Sequence, residues 1–199
     1  MKRISALKIL FCLPAFILAC QPSFAMDISY SGSTVQMSGP VVKGDCDRLK
    51  AIISANKIER LILTDSLGGD ANTGFCVGET IRANNISTVI KGYCESSCSR
   101  MWLGGVTRKL DGDDSTVGLH GNYDFRGHLI DESTVRLREW IPRFAPKVDV
   151  ELMNRWTSLY YNHYMMFFYN DRAQLCLNGS KECENIAGRN VFNAGLESQ

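Results

Sequence analysis

The sequence predicts an α/β fold in one domain, built on a largely parallel β-sheet. Three short apolar runs, each followed by a turn that contains glycine, are typical of strands buried in such a sheet. They cover residues 60–64, 87–90 and 117–120. Amphipathic segments follow the first two, and strands that alternate with helices on short connections favour parallel pairing. At 199 residues, 45% hydrophobic and 22% charged, the chain suits one globular core.

The remaining elements follow in order along the chain. Residues 26–43 alternate apolar and polar side chains between glycines, as short strands do. Helical spacing of apolar residues predicts helices over residues 46–56, 71–84, 96–103, 131–144, 150–170 and about 184–194. The aromatic side chains of residues 160–169 are then expected to pack in the core or against another subunit. No linker interrupts residues 26–199, so we expect one domain there.

The first 25 residues have the parts of a secretory signal peptide. Basic Lys2 and Arg3 precede an apolar run over residues 9–19, which is shorter than the ~20 residues that span a bilayer. Small residues before the cleavage point then predict cleavage after Ala25 and export to the periplasm or beyond. The residues before Cys20 also resemble a bacterial lipobox, and in that alternative Cys20 carries a lipid anchor.

Export changes the expected state of the cysteines. Six follow the signal peptide: Cys46, Cys76, Cys94, Cys98, Cys176 and Cys183. An even number in an oxidising compartment favours disulfides, whereas a zinc site needs tight pairs such as C-x-x-C. The sequence alone does not fix the connectivity. We expect local pairing of Cys94 with Cys98 and of Cys176 with Cys183, which leaves Cys46 with Cys76, and no metal.

The charge pattern gives no sign of a nucleic-acid partner. The formal net charge is +1, and no run of Lys or Arg is present. Arg82, Arg100 and Arg108 are expected on the solvated surface. We predict no cofactor.

Three polar turns carry the chemistry. The turn at residues 64–69, T-D-S-L-G-G, has paired glycines whose bare N–H groups can approach an oxyanion, although such a pair is more often only a turn. The turn at residues 92–98, G-Y-C-E-S-S-C, places Ser96 at a helix start, where serine is also a common N-cap. His120 ends the third strand, where a single histidine is often structural. Serine is a poor nucleophile without a base, so the pairing of Ser96 with His120 matters more than either residue alone.

Taken together, these turns resemble the Clp-protease family, which has the ClpP/crotonase fold, and specifically its exported branch. The matching stretch covers residues 61–121. The family pattern is a strand, an S-x-G-G turn, a helix, a strand, a G-x-x-x-S turn, a helix, and a strand with a histidine. Exported members also place cysteines two residues either side of the serine, as Cys94 and Cys98 do here.

The resemblance implies a single-domain spiral of ββα units and a serine hydrolase. It implies Ser96 as nucleophile, His120 as general base, and the amides of Gly69 and Ser97 as an oxyanion hole. The reaction would be peptide hydrolysis through an acyl-enzyme, with peptides or unfolded protein as substrates. A homo-oligomer is also compatible with the resemblance.

The chain departs from the family pattern at two points. Leu67 stands where the family has proline or a small residue. The acid of the triad is also ambiguous, because Asp171 has the family's distance from His120 but a count back from Gly195 reaches Cys183 instead. Asp171 is the favoured acid, Asp124 is a weaker one, and a Ser-His dyad is an equal alternative.

Two other functions compete with a peptidase. The first is an inactive member that binds peptide in the same cleft or serves in an assembly. The second acts on thioesters, as crotonases do, but those enzymes stabilise an enolate and need no Ser-His pair. The pairing of Ser96 with His120 argues against that second function.

Overall fold

The computed structural model describes residues 25–159, 164–177 and 182–198, so nearly all of the predicted signal peptide, Cys20 included, lies outside the described residues. The strands are β1 (Asp27–Ser31), β2 (Thr34–Ser38), β3 (Arg60–Ser66), β4 (Ser87–Glu95), β5 (Arg108–Leu110), β6 (Thr116–Leu119), β7 (Tyr164–Phe168), β8 (Ala173–Leu177) and β9 (Cys183–Asn185). The helices are α1 (Asp45–Ala55), α2 (Ala71–Ala83), α3 (Ser97–Leu103), α4 (Asp131–Phe144) and α5 (Val150–Thr157). Within these ranges, no helix has the length and apolar character needed to cross a bilayer.

One mixed sheet carries the fold, in the order β1-β2-β3-β4-β6-β7-β8-β9, with β5 beside the first half of β4. Strands β2, β3, β4 and β6 form a parallel centre. Strand β1 and strands β7 to β9 extend it with antiparallel pairs. The predicted α/β class is confirmed. The parallel centre brings the carboxyl ends of β3, β4 and β6 to one edge of the sheet.

The apolar runs form the core, as their pattern predicts. Leu61 and Leu63 of β3 are fully buried on one face of the sheet, and all four residues of β6 are buried. Phe75 of α2 packs its ring edge-on against Trp140 of α4, with the centroids 5.3 Å apart. Burial of each large apolar side chain contributes about 1.5–3 kcal/mol to stability. The helices are thereby fixed against the sheet that positions the site.

Three disulfides join the cysteines in the expected pairs, and this prediction is confirmed. Cys46–Cys76 links α1 to α2. Cys94–Cys98 spans the turn between β4 and α3, with 5.3 Å between Cα atoms. Cys176–Cys183 links facing residues of β8 and β9.

The helix predicted over residues 150–170 is wrong in its second half. Helix α5 ends at Thr157, and β7 follows as a strand between β6 and β8. Aromatic residues favour strands where both neighbours offer pairing, and here the distant strand β6 and the next strand of the chain, β8, supply it. The expected core role holds for Phe168, which is buried against Trp156 with 5.6 Å between ring centroids. Tyr160 and Tyr161 lie outside the described residues.

The short helix predicted near residues 184–194 is also wrong. The segment begins with strand β9 and continues through turns to Gly195. The Cys176–Cys183 disulfide and the pairing of β9 with β8 hold its start extended. The disulfide and the strand pairing therefore override the local helical pattern.

Candidate active site

Ser96 occupies a strained turn between β4 and α3. Its backbone has φ 53° and ψ −123°, a conformation that residues other than glycine rarely adopt. The Ser96 N–H donates to the Gly118 carbonyl at 3.0 Å, and the Ser99 hydroxyl donates to the Ser96 carbonyl at 2.6 Å. The Cys94–Cys98 disulfide closes the same turn. Strain of this kind persists only where neighbouring bonds hold it, and a sharp strand-to-helix turn presents a serine hydroxyl outward.

Gly68 allows the turn after β3 to lie directly against Ser96. A Cβ added at Gly68 would stand 2.6 Å from the Glu95 carbonyl oxygen, 2.7 Å from the Ser96 Cβ and 2.8 Å from the Ser97 nitrogen. Its φ of 84° also lies in the region that favours glycine. The first glycine of the S-L-G-G turn is therefore required by close backbone approach. Leu67, the departure from the family pattern, is 67% exposed and lines the cavity in front of Ser96.

His120 follows the end of β6, next to the Ser96 turn. Glu95 of β4 pairs with Gly118 of β6, so Ser96 and His120 both stand just past the carboxyl ends of neighbouring parallel strands. Both line one cavity of about 530 Å³. No hydrogen bond joins their side chains in the described part of the chain. Such bonds are often long without substrate and tighten when it binds.

The His120 ring is held in one tautomer by its own backbone neighbour. Nδ1 lies 2.5 Å from the Gly121 carbonyl oxygen, and because a carbonyl only accepts, Nδ1 carries the proton. Nε2 is then the free acceptor. Burial, followed by the charge of Arg100, lowers the pKa of His120 from 6.5 to about 4. The imidazole is consequently neutral at physiological pH.

Two charged side chains that sequence reasoning did not assign to the site also line the cavity. Arg100, one helical turn after Ser96, is only 3% exposed and stacks on the Phe75 ring at 4.8 Å. Burial lowers the pKa of Arg100 to about 10. Glu95, directly before Ser96, is half-buried, and burial raises the pKa of its carboxyl group. Helical spacing from Ser96 was the only sequence signal for Arg100.

The expected surface positions of Arg82, Arg100 and Arg108 are wrong. Arg108 is 5% exposed and donates to the carbonyls of Gly105, Phe144 and Leu196. Arg82 is half-buried and donates to carbonyls of the same region. Both guanidinium groups satisfy backbone acceptors where distant segments meet, so their burial depends on the tertiary fold.

Asp171 does not lie beside His120, which corrects its prediction as the triad acid. Phe168 at the end of β7 pairs with Val117 near the start of β6, so the β7–β8 turn that holds Asp171 lies at the opposite end of β6 from His120. The Asp171 carboxylate instead pairs with Arg172 at 2.9 Å and is largely exposed. The number of residues between His120 and Asp171 predicted the wrong acid, because the β7–β8 hairpin places Asp171 at the far end of β6.

Asp124 lies on the cavity wall but serves its own loop. Its Oδ1 accepts from the N–H groups of Arg126 at 2.8 Å and His128 at 2.9 Å. These bonds, that of His128 first, lower the pKa of the Asp124 carboxyl. The group next to the His120 Nδ1 is therefore the Gly121 carbonyl, in the position that a triad carboxylate would occupy.

Comparison with known proteins identifies the fold. No protein-family model and no curated protein matches this chain. A mutant of ClpP1 from Listeria monocytogenes has 12% identity over 83% of this chain and 88% of its own, with a TM-score of 0.52. Another ClpP1 structure from Listeria monocytogenes has 15% identity over 65% of this chain and 81% of its own, with a TM-score of 0.50.

A mutant of 1510-N, a membrane-bound stomatin-specific protease, is similar over a shorter stretch. It has 17% identity over 61% of this chain, with a TM-score of 0.47, and this chain spans 66% of its length. At these identities the two ClpP1 structures establish the fold alone. The chain has a ClpP-like fold, as its three turns predicted.

Proposed function

We propose that this chain is an exported serine peptidase that hydrolyses peptide bonds through an acyl-enzyme on Ser96. The observation that carries the proposal is the strained Ser96 turn at the carboxyl edge of the sheet, facing one cavity together with His120. A hydroxyl in this place is useful chemically only if a base can take its proton. Among the described residues, His120 is the histidine that lines the cavity. The ClpP-like fold supports the proposal by analogy.

The acylation step uses both side chains. Nε2 of His120 accepts the hydroxyl proton as Oγ of Ser96 bonds to the carbonyl carbon of the scissile peptide. The tetrahedral intermediate collapses when the C–N bond breaks, and the imidazolium returns its proton to the departing amine. In deacylation, Nε2 takes a proton from water as the water oxygen bonds to the ester carbon. The bond from that carbon to Oγ of Ser96 then breaks, Oγ takes the proton back from the imidazolium, and the carboxylic acid leaves.

We assign the developing oxyanion to the amides of Gly69 and Ser97. Gly69 and Val41 form a parallel β-bridge. In this bridge the Val41 N–H donates to the Gly68 carbonyl, and the Val41 carbonyl accepts from the Asp70 N–H. The N–H of Gly69 therefore takes no part in that bridge, and Gly69 lines the cavity. Ser97 is the first residue of α3, where the amide has no partner within the helix. Two fixed donors of this kind stabilise charge that appears only in the transition state.

The Gly121 carbonyl takes the orienting role of a triad acid. It fixes the Nδ1 proton of His120, so Nε2 always faces the reaction as the acceptor. A carbonyl does not supply the full negative charge that a carboxylate would give to the imidazolium. The proposal is thus a Ser-His dyad supported by a backbone acceptor, with a base of lowered pKa.

The proposed location is an oxidising compartment outside the cytoplasm. Three disulfides in the described chain agree with this location. Cleavage after Ala25 and assembly into a homo-oligomer remain part of the proposal. N-terminal sequencing and light scattering of protein purified from the periplasm test these two points.

Hydrolysis of a random peptide pool, followed by mass spectrometry, tests the activity. We expect the Ser96→Ala variant to lose about 10⁶-fold in kcat, because nucleophile and base act as a unit. Ser29→Ala is the matched control, since Ser29 is an exposed serine of β1. The control variant should cleave like the wild type. Equal cleavage by wild type and Ser96→Ala would refute the proposal.

An inactive peptide-binding protein is the second candidate. The observation that favours it is the position of Asp171, which leaves His120 without the carboxylate of the expected triad. This candidate predicts peptide binding in the cavity with no cleavage by the wild type. The same peptide pool distinguishes the two, because binding and cleavage are measured on one sample.

A further inference from the structure

Arg100 is a buried cation in the wall of the cavity that holds Ser96. It lies four residues after Ser96, in α3, and both residues line the same cavity. Arg100 lines the cavity, yet only 3% of its surface is exposed. A buried cation in this wall can contact a ligand that enters the cavity.

The protein satisfies only part of this guanidinium. One Nη donates to the Asn122 side chain, which is in turn held by the Ser133 hydroxyl at 2.6 Å. Nε has no hydrogen-bond partner among the described residues. In the ranges the structure describes, no carboxylate forms an ion pair with Arg100. The carboxylate that acts on it electrostatically, Asp70, already accepts two bonds from Thr73 as the cap of α2.

The surroundings increase the need for a counter-ion. Arg136 stacks on the same Phe75 ring at 4.4 Å, so two cations share one aromatic side chain. A buried charge without a partner is costly, and proteins usually pair such a charge or expose it. The guanidinium fork matches a carboxylate in two parallel hydrogen bonds. An anionic group on the ligand would supply the missing partner.

We propose that Arg100 binds a carboxylate of the substrate, so that the site prefers peptides with an acidic group next to the scissile bond. This inference rests on the proposed peptidase function. The carboxylate can come from an Asp or Glu side chain or from the free carboxyl terminus of the peptide.

Such a carboxylate would also act on the base. The positive charge of Arg100 is the second cause, after burial, of the lowered pKa of His120. A bound carboxylate offsets that charge and makes the imidazolium easier to form during acylation. Acidic peptides should therefore improve kcat as well as KM. A purely structural arginine would give neither effect.

Four labelled random peptide pools test the proposal, with a fixed central Glu or Gln and a free or amidated carboxyl terminus. Binding is measured by fluorescence anisotropy on the Ser96→Ala protein, so the result does not depend on turnover. A charge-assisted bond predicts about 10- to 100-fold tighter binding of the pool that carries the correct carboxylate. The Glu–Gln ratio identifies a side chain as the source, and the acid–amide ratio identifies the carboxyl terminus.

Variants at Arg100 separate recognition from folding. In the Ser96→Ala background, Arg100→Met should bring both ratios to about one, while Arg100→Lys keeps the charge and should retain part of the preference. Near-UV circular dichroism checks the fold, and the ratios measured on the Ser96→Ala protein with Arg100 intact remain decisive if Arg100→Met does not fold. Equal binding of all four pools, or binding of none, overturns the proposal. Carboxylate preference without cleavage by the wild type would leave it standing and refute only the peptidase function.

Discussion

Replacing Gly68 by alanine tests how closely the nucleophile turn depends on its neighbour. The new Cβ would lie 2.6–2.8 Å from three atoms of residues 95–97, two of them in the backbone. Contacts this short force the Ser96 turn to move by several tenths of an ångström. The φ of 84° adds strain of about 1–2 kcal/mol. Because a shift of about 1 Å costs roughly 100-fold in rate, we expect this smaller shift to cost about 10-fold.

The assay is the rate of covalent labelling by a fluorophosphonate probe, with thermal unfolding measured on the same samples. Gly32→Ala is the matched control, since Gly32 also has a positive φ, 56°, but no atom within 4 Å of the added Cβ. It should lose about 1–2 kcal/mol of stability and keep the wild-type labelling rate. Wild-type labelling by a folded Gly68→Ala protein would refute the reasoning, as would an equal loss in Gly32→Ala.

Three further predictions follow from the site and the disulfides. The labelling rate should stay level as pH falls from 8 and drop only near pH 4, because the lowered pKa keeps His120 neutral until then; a drop centred near 6.5 would contradict this. Replacing Cys94 and Cys98 by serine should lower the labelling rate while the melting temperature changes little, because this bond closes a short loop, with a separation of 4, at the Ser96 turn. A large fall in melting temperature with labelling retained in the folded protein would show instead that the bond stabilises the fold. Replacing Cys46 and Cys76 by serine should cost about 3–4 kcal/mol, since that loop has a separation of 30, with labelling of the folded protein retained; calorimetry checks the first part, and lost labelling would contradict the second.

The centre of the fold was accessible from the sequence because its signals are local. Apolar runs mark β3, β4 and β6, and glycines follow β3 and β6, whereas Gly92 lies within β4. Parallel pairing then brings Ser96 and His120 to one edge of the sheet without further information. The spacing of the cysteines also favoured the local pairs Cys94–Cys98 and Cys176–Cys183, although it left the connectivity open.

The remaining features depend on contacts between distant segments. The aromatic residues near Phe168 are compatible with a helix or a strand, and pairing with β6 makes them a strand. The hairpin after β7 carries Asp171 away from His120, which a count of residues does not show. Arg100 looks like a surface residue until Phe75 and Asn122 enclose it. No local pattern encodes these contacts.

The central claim is that Ser96 is the nucleophile, and mapping of the fluorophosphonate adduct tests it most directly. The native protein is labelled, digested without reduction and analysed by tandem mass spectrometry. We predict one adduct per chain, on Ser96, and its loss in the His120→Gln variant, where no base accepts the hydroxyl proton. An adduct on another serine, or an unmodified Ser96 in folded protein with its disulfides intact, would contradict the account.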